Sequence, residues 1–274
     1  MEEKRINLHL ISDSTGETLS SVSRAVLSQF ENVESNDFYW PLIRNKAQLE
    51  KALDSIEKNP GIVLYTILQD ELVEILNNHC YRLQIPCISV LSRIINEFSN
   101  YLDMNSNHVI GRQHLLGEEY FSRVEAINYT LTHDDGQSAW DLYDADIVII
   151  GVSRTSKSPT SVYLSCRGYK TANIPFVTID TIPNNIYDLR KPLIIGLTVN
   201  PEKLVQIRQS RLTSIGQETK TDYIDIDAIK NEIAESRKLF AKLNCPIIDV
   251  TKKSVEETAA RIIQLLQDKK NTKK

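Results

Sequence analysis

The residues best suited to chemistry sit together at Gly151-Val152-Ser153-Arg154-Thr155-Ser156-Lys157-Ser158. They follow the apolar run from Ile147 to Ile150 and precede a helical pattern, so a buried strand feeds a polar turn and then a helix. That is the context of a Walker A phosphate loop. The spacing from Gly151 to Lys157-Ser158 fits Gly-x-x-x-x-Gly-Lys-[Ser/Thr], except that Ser156 stands at the second glycine. Backbone N–H groups at a helix N-terminus form an anion nest, and the helix dipole favours negative charge there. Lys157 can reach a terminal phosphate, the Ser158 hydroxyl can hold Mg²⁺, and Arg154 can neutralise charge on a transferred phosphoryl group. A residue with a Cβ disfavours positive φ, so Ser156 predicts a modified loop. The plainer reading is a solvated turn in which Ser156 or Ser158 caps the helix.

Other constellations carry weaker signals. Ser12-Asp13-Ser14-Thr15-Gly16-Glu17-Thr18 follows the first strand pattern, where open α/β sheets bind ligands. Ser14 and Glu17 have capping-box spacing. Alternatively the segment is a second phosphate or partner site, with Asp13 as acid, base or metal ligand. Asp134-Asp135-Gly136 reads either as a helix-ending turn or as carboxylates that bind Mg²⁺ or take a proton from a hydroxyl nucleophile. Asp180 and Asp249 each end an apolar run, a loose Walker B pattern that any parallel strand ending in Asp also gives. Arg208 and Arg211 share a helix face at i and i+3, either a solvated face or a phosphate clamp. The five histidines make no metal pattern, though His133 beside two carboxylates is a candidate proton carrier.

These residues must be held by an alternation of strands and helices. Strand patterns run over 6–11, 38–43, 62–68 and 87–91, with helical patterns from 19 to 30, at 47–56 and at 71–83. From 92 to 142 the periodicity is helical, clearest at 118–131. Strand patterns return at 146–150, 174–179, 193–198 and 246–250, with helices at 159–168, 202–212, 228–243 and from Val255 to Leu266. The tail from Asp268 reads as a frayed end. A βαβα series predicts parallel sheets covered by helices. The expected class is therefore α/β, with two parallel-sheet halves: an N-terminal domain over 1–104, and over 105–274 a helical connector plus the half that carries the modified P-loop.

Composition bounds the partners. The chain has 274 residues, 32 basic and 36 acidic, for a net charge of −4, which argues against general nucleic-acid binding. The longest apolar runs are strand-sized, far short of the ~20 residues of a membrane span. The N-terminus lacks a signal-peptide pattern. Cys80, Cys87, Cys166 and Cys245 lack metal or CxxC spacing and read as buried, reduced thiols of a cytoplasmic protein. Nine glycines, about 3% of the chain, are fewer than the ~7% of an average protein, so each one invites a reason.

Taken together, these segments resemble one family, the bifunctional regulatory proteins of pyruvate, phosphate dikinase and phosphoenolpyruvate synthase. The resemblance covers nearly the whole chain. It rests on Ser12 to Thr18, Asp134-Asp135-Gly136, Gly151 to Pro159, Tyr163-Leu164, Gly168 to Pro175, and Gly196-Leu197-Thr198. Ile207-Arg208 with Arg211-Leu212, and Ile248-Asp249-Val250-Thr251 before Glu256-Glu257-Thr258-Ala259, complete it. Ser at position 156 is common in that family. The resemblance implies a Ser/Thr kinase that uses ADP to phosphorylate a threonine near the target's catalytic histidine, switching the target off. It also implies removal of that phosphate by inorganic phosphate, with release of pyrophosphate. The nucleotide segment maps onto Gly151 to Ser158. Lys157 and Arg154 would neutralise phosphate, Ser158 would assist Mg²⁺, and Asp13 or Asp135 would be the base. The target is expected to be the dikinase, with the synthase as alternative, and a homodimer is a reasonable default. Outside the family, the residues also allow an ATP-dependent small-molecule P-loop kinase or a non-catalytic nucleotide sensor.

Overall fold

A computed structural model describes residues 4–107, 118–214, 216 and 222–272. His108, His114 and part of the predicted helical middle lie outside the described residues. The chain divides into two compact units, Met1–Leu115 and Leu116–Lys274. Each holds a four-stranded, all-parallel sheet, as the alternating pattern predicts.

The first unit carries β1 (Lys4–Ile11), α1 (Glu17–Leu27), β2 (Val33–Trp40), α2 (Lys46–Lys58), β3 (Ile62–Tyr65), α3 (Asp70–Arg82), β4 (Cys87–Ser89) and α4 (Ser92–Leu102), with strand order β2-β1-β3-β4. One sheet face packs Ile11, Val63 and Tyr65 against Leu49, Ala52 and Ile56 of α2 and Leu72 and Leu76 of α3. The second unit carries α5 (Glu118–Thr132), β5 (Ile147–Val152), α6 (Lys157–Ser165), β6 (Thr171–Phe176), β7 (Leu193–Thr198), α7 (Pro201–Ser214), α8 (Ile226–Lys242), β8 (Ile247–Asp249) and α9 (Val255–Thr272). Its strand order, β6-β5-β7-β8, repeats that of the first sheet.

Strand β5 is buried along its whole length because both sheet faces are covered. Val148, Ile150 and Val152 meet Ile229, Ile233 and Phe240 of α8. Ile147 and Ile149 meet Leu164 of α6 and Ala259, Ile262 and Leu266 of α9. Each such side chain contributes about 1.5–3 kcal/mol. This fixes the height at which the chain leaves the sheet at Val152. In both units the first strand of the sheet lies at a switch point, with successors on either side. Parallel sheets open a crevice there, at the carboxyl ends of the strands.

Several boundaries differ from the sequence reading. Strand β2 starts at Val33 and ends at Trp40, because Pro41 and the left-handed Leu42 (φ 60°) turn the chain away. Its polar stretch Glu34 to Asp37 is accommodated because β2 is an edge strand. Strand β3 ends at Tyr65, and the Leu68 N–H instead donates to Asp13. Strand β6 spans 171–176 rather than 174–179, since Thr171 to Asn173 are buried despite their polarity. The tail from Asp268 is not frayed: α9 runs to Thr272, and Lys269 donates to the carbonyls of Arg190, Lys191 and Pro192. The capping box of Ser14 and Glu17 does not form. Gly16 stands at the N-cap of α1, and the Ser14 N–H donates to the Ser12 hydroxyl. Of the four free thiols only Cys80 is buried: Cys87 and Cys245 are half-buried and Cys166 is exposed.

Candidate functional site

The loop between β5 and α6 begins at Gly151, which a side chain could not replace. A Cβ there would lie 2.8 Å from the Thr155 hydroxyl and 2.9 Å from the Leu197 carbonyl. Thr155 is fully buried and donates to the Val152 carbonyl at 2.9 Å, which folds the loop back over the strand end. Arg154 (φ 73°) and Ser156 (φ 59°) are both left-handed. The loop therefore holds a non-glycine residue in the left-handed region at the position where the Walker spacing has its second glycine, at a cost of about 1–2 kcal/mol. Ser156 is the N-cap of α6 and makes no side-chain cap, so the plain capping reading fails for it.

Lys157 occupies the first turn of α6 and is only 5% exposed. Its ammonium donates to the Val152 carbonyl at 3.2 Å. Burial pulls its pKa down to about 8, against the opposing pull of Asp135, Asp134 and Glu232. A buried cation at a helix N-terminus also runs against the helix dipole. Such a group is uncomfortable in the free protein and relieved by an anion, which the start of a helix also favours.

Two of the carboxylates that act on Lys157, Asp134 and Asp135, come from the turn after α5. His133 closes that helix, its Nδ1 2.7 Å from the Tyr129 carbonyl and its ring stacked on Tyr129. It is buried and serves as a helix stop rather than as an open proton carrier. Asp135 follows in a left-handed conformation (φ 53°) and is exposed. Asp134 is half-buried and accepts from the Asn173 side-chain amide. The Asn173 Oδ1 accepts from the Asp135 N–H at 3.1 Å, and its Nδ2 lies 3.5 Å from the Ser158 hydroxyl. Lys157, Ser158 and the two aspartates thus form one group.

Two further side chains brace the loop: Tyr223, which the sequence did not single out, and Arg208, which it offered only as a solvated face or a phosphate clamp. Tyr223 reaches Ser153 and Arg154 with its hydroxyl, at 3.4 Å each. Burial raises its pKa, but those hydrogen bonds and the charge of Arg208 outweigh it and leave the phenol below its ordinary value. Arg208 is 2% exposed, so neither the solvated face nor a free phosphate clamp holds for it. It pairs with both oxygens of Glu232 and donates to the carbonyls of Ser153 and Tyr223. Arg211 is exposed on the same helix.

The remaining candidates lie elsewhere. Asp180 sits exposed in a one-turn 3₁₀ segment. Asp249 accepts from the N–H and hydroxyl of Thr251. In the first unit Asp13 is 4% exposed, accepts from the Leu68 N–H at 3.0 Å, and has its carbonyl bound by Arg44. Burial raises its pKa, and the Leu68 N–H opposes that rise. Among the described residues no three His, Cys, Asp or Glu side chains are grouped to hold a metal ion, and no helix is long and apolar enough to cross a membrane.

The family model of the kinase/pyrophosphorylases matches residues 8–263. The chain belongs to that family. Relatives bearing the name "Putative pyruvate, phosphate dikinase regulatory protein" match along almost the whole length. One from Bradyrhizobium sp. (strain ORS 278) is 47% identical over 264 residues, covering 96% of this chain and 95% of its own. One from Rhodopseudomonas palustris (strain BisB5) is 47% identical with the same coverage. One from Erythrobacter litoralis (strain HTCC2594) is 45% identical over 262 residues, covering 96% and 94%. Family membership joins the buried lysine, its loop and its two carboxylates to a family named for phosphoryl chemistry.

Proposed function

We propose that this protein regulates a pyruvate, phosphate dikinase by phosphorylating it on a threonine near its catalytic histidine with ADP as donor, and by removing that phosphate with inorganic phosphate. The names of its relatives support the target. The observation that carries the chemistry is Lys157, buried against a helix N-terminus and facing the charge of the exposed Asp135.

In the forward direction the threonine hydroxyl oxygen bonds to the β-phosphorus of ADP, the bond from that phosphorus to the bridging oxygen breaks, and AMP leaves. Asp135 takes the hydroxyl proton. In the reverse direction an oxygen of inorganic phosphate bonds to the phosphothreonine phosphorus, the threonine oxygen leaves and regains a proton, and pyrophosphate is released. Both directions place a phosphoryl group in line between two oxygens, so one set of cations serves both. Lys157 and Arg154 neutralise its charge, and the backbone of 151–158 holds the adjoining phosphate. Asp134 is engaged by Asn173, and Asp13 by Leu68, which favours Asp135 as the base. A magnesium ion would enter with the nucleotide and be held by the Ser158 hydroxyl, screening phosphate charge when bound.

The test is transfer from β-labelled ADP and, separately, from γ-labelled ATP, each with purified pyruvate, phosphate dikinase and with phosphoenolpyruvate synthase. Label on dikinase threonine from ADP is expected. Label on the synthase alone would reassign the target. Label from ATP on small molecules, or nucleotide binding without transfer, would overturn the reading.

A further inference from the structure

Asn173 is an amide buried in the middle of a strand, where such a residue has low propensity and must be fully hydrogen-bonded to be tolerated. It is 1% exposed, and its backbone N–H and both side-chain polar atoms meet the turn from His133 to Asp135. Its backbone N–H donates to the His133 carbonyl at 3.1 Å, its Oδ1 accepts from the Asp135 N–H, and its Nδ2 donates to the Asp134 carboxylate. The same Nδ2 borders the Ser158 hydroxyl at the start of α6. One side chain therefore ties the carboxylate turn to the helix that carries Lys157. Two adjacent aspartates are chemically alike, and Asn173 makes them unlike: it binds the carboxylate of Asp134 and only the backbone of Asp135.

We propose that Asn173 is a positioning residue that immobilises Asp134 and holds the left-handed Asp135 backbone, so that the Asp135 carboxylate alone is presented to the hydroxyl nucleophile beside Lys157. This rests on the kinase reading with Asp135 as base. It adds that the choice between the two carboxylates is made from β6, by a residue that touches neither nucleotide nor target.

The experiment measures ADP-dependent transfer by wild type, Asn173→Ala, Asn173→Asp, Asp135→Asn and the double variant Asn173→Ala/Asp135→Asn, as a function of pH, with folding checked by circular dichroism. Asn173→Ala is expected to lower kcat about ten- to a hundredfold, the scale of a misplaced reacting group, with KM for ADP within about twofold. Asn173→Asp keeps the side-chain volume but sets a third carboxylate against the first two, which favours their protonated forms and moves the acidic limb of kcat to higher pH. In the double variant the Asn173 change is expected to add little, because its effect runs through Asp135. If Asp135→Asn abolishes transfer while both Asn173 variants keep the wild-type kcat and acidic limb, the positioning role is wrong and the kinase reading stands. Loss in the Asn173 variants that simply multiplies the loss in Asp135→Asn, with no movement of the acidic limb, also overturns it, as a structural effect would. Wild-type transfer by Asp135→Asn overturns Asp135 as the base, and the positioning role with it, while the kinase reading stands.

Discussion

The two units share a strand order and differ at the same place, the turn after their first strand. Both turns end in a left-handed residue that serves as helix N-cap without a side-chain cap, Gly16 (φ 82°) in the first and Ser156 (φ 59°) in the second. The next residue is where they part. Glu17 places an acid in the first turn of α1, so that helix satisfies its own dipole. Lys157 places a buried cation there, and α6 has no acid in its first turn. One helix start is electrostatically finished. The other gains most from an anion supplied from outside. The same topology thus yields a self-contained turn in one unit and, on the proposed function, a phosphate-binding turn in the other, and the first helical residue marks the difference.

Four changes would break or sharpen this contrast. The largest effect belongs to Lys157→Ala, expected to lower ADP-dependent transfer at least ~10²-fold with the fold retained, whereas Glu17→Ala leaves transfer within about twofold. A radiolabel assay on both variants decides it. Next is pH. Phosphate favours the charged form of Lys157, whose pKa in the free protein is about 8. ADP affinity is therefore expected to be full below that value and to fall as pH rises through it, by about tenfold per unit at the limit. Calorimetric titration should show the fall in wild type and a flattened profile in Lys157→Arg. Smaller effects attend the left-handed caps. Ser156→Gly should stabilise, and Gly16→Ser destabilise, by about 1–2 kcal/mol each, read by urea unfolding. Smallest is Glu17→Lys, expected to cost about 0.3–1 kcal/mol of stability by giving α1 the unfavourable charge that α6 carries.

How much of this was legible depended on how local each feature is. The strand Leu193–Thr198 and the loop from Gly151 to Ser158 could be read directly, because apolar runs and phosphate-loop spacing are contiguous in sequence. The loop's departure at Ser156 was also visible, and its φ of 59° places that serine in the left-handed region that glycine favours. The supports were not legible. Asn173 meets the Asp135 N–H across 38 residues, and Tyr223 meets Arg154 across 69, so no window contains both partners. Arg208 and Arg211 look equivalent at helical spacing. Only the packing of α7 on α8 buries the first against Glu232 and leaves the second in solvent. The Ser14–Glu17 spacing misled for a related reason: Gly16 takes the N-cap, two residues later than a capping box needs.

The central claim is that phosphoryl transfer is centred on Lys157 and Asp135 in the second unit. The most direct test follows β-labelled phosphate from ADP onto dikinase threonine with wild type, Lys157→Ala, Asp135→Asn and Glu17→Ala, all confirmed folded. The account predicts labelling by wild type and Glu17→Ala and its loss in the other two. Near-wild-type labelling by both Lys157→Ala and Asp135→Asn would contradict it.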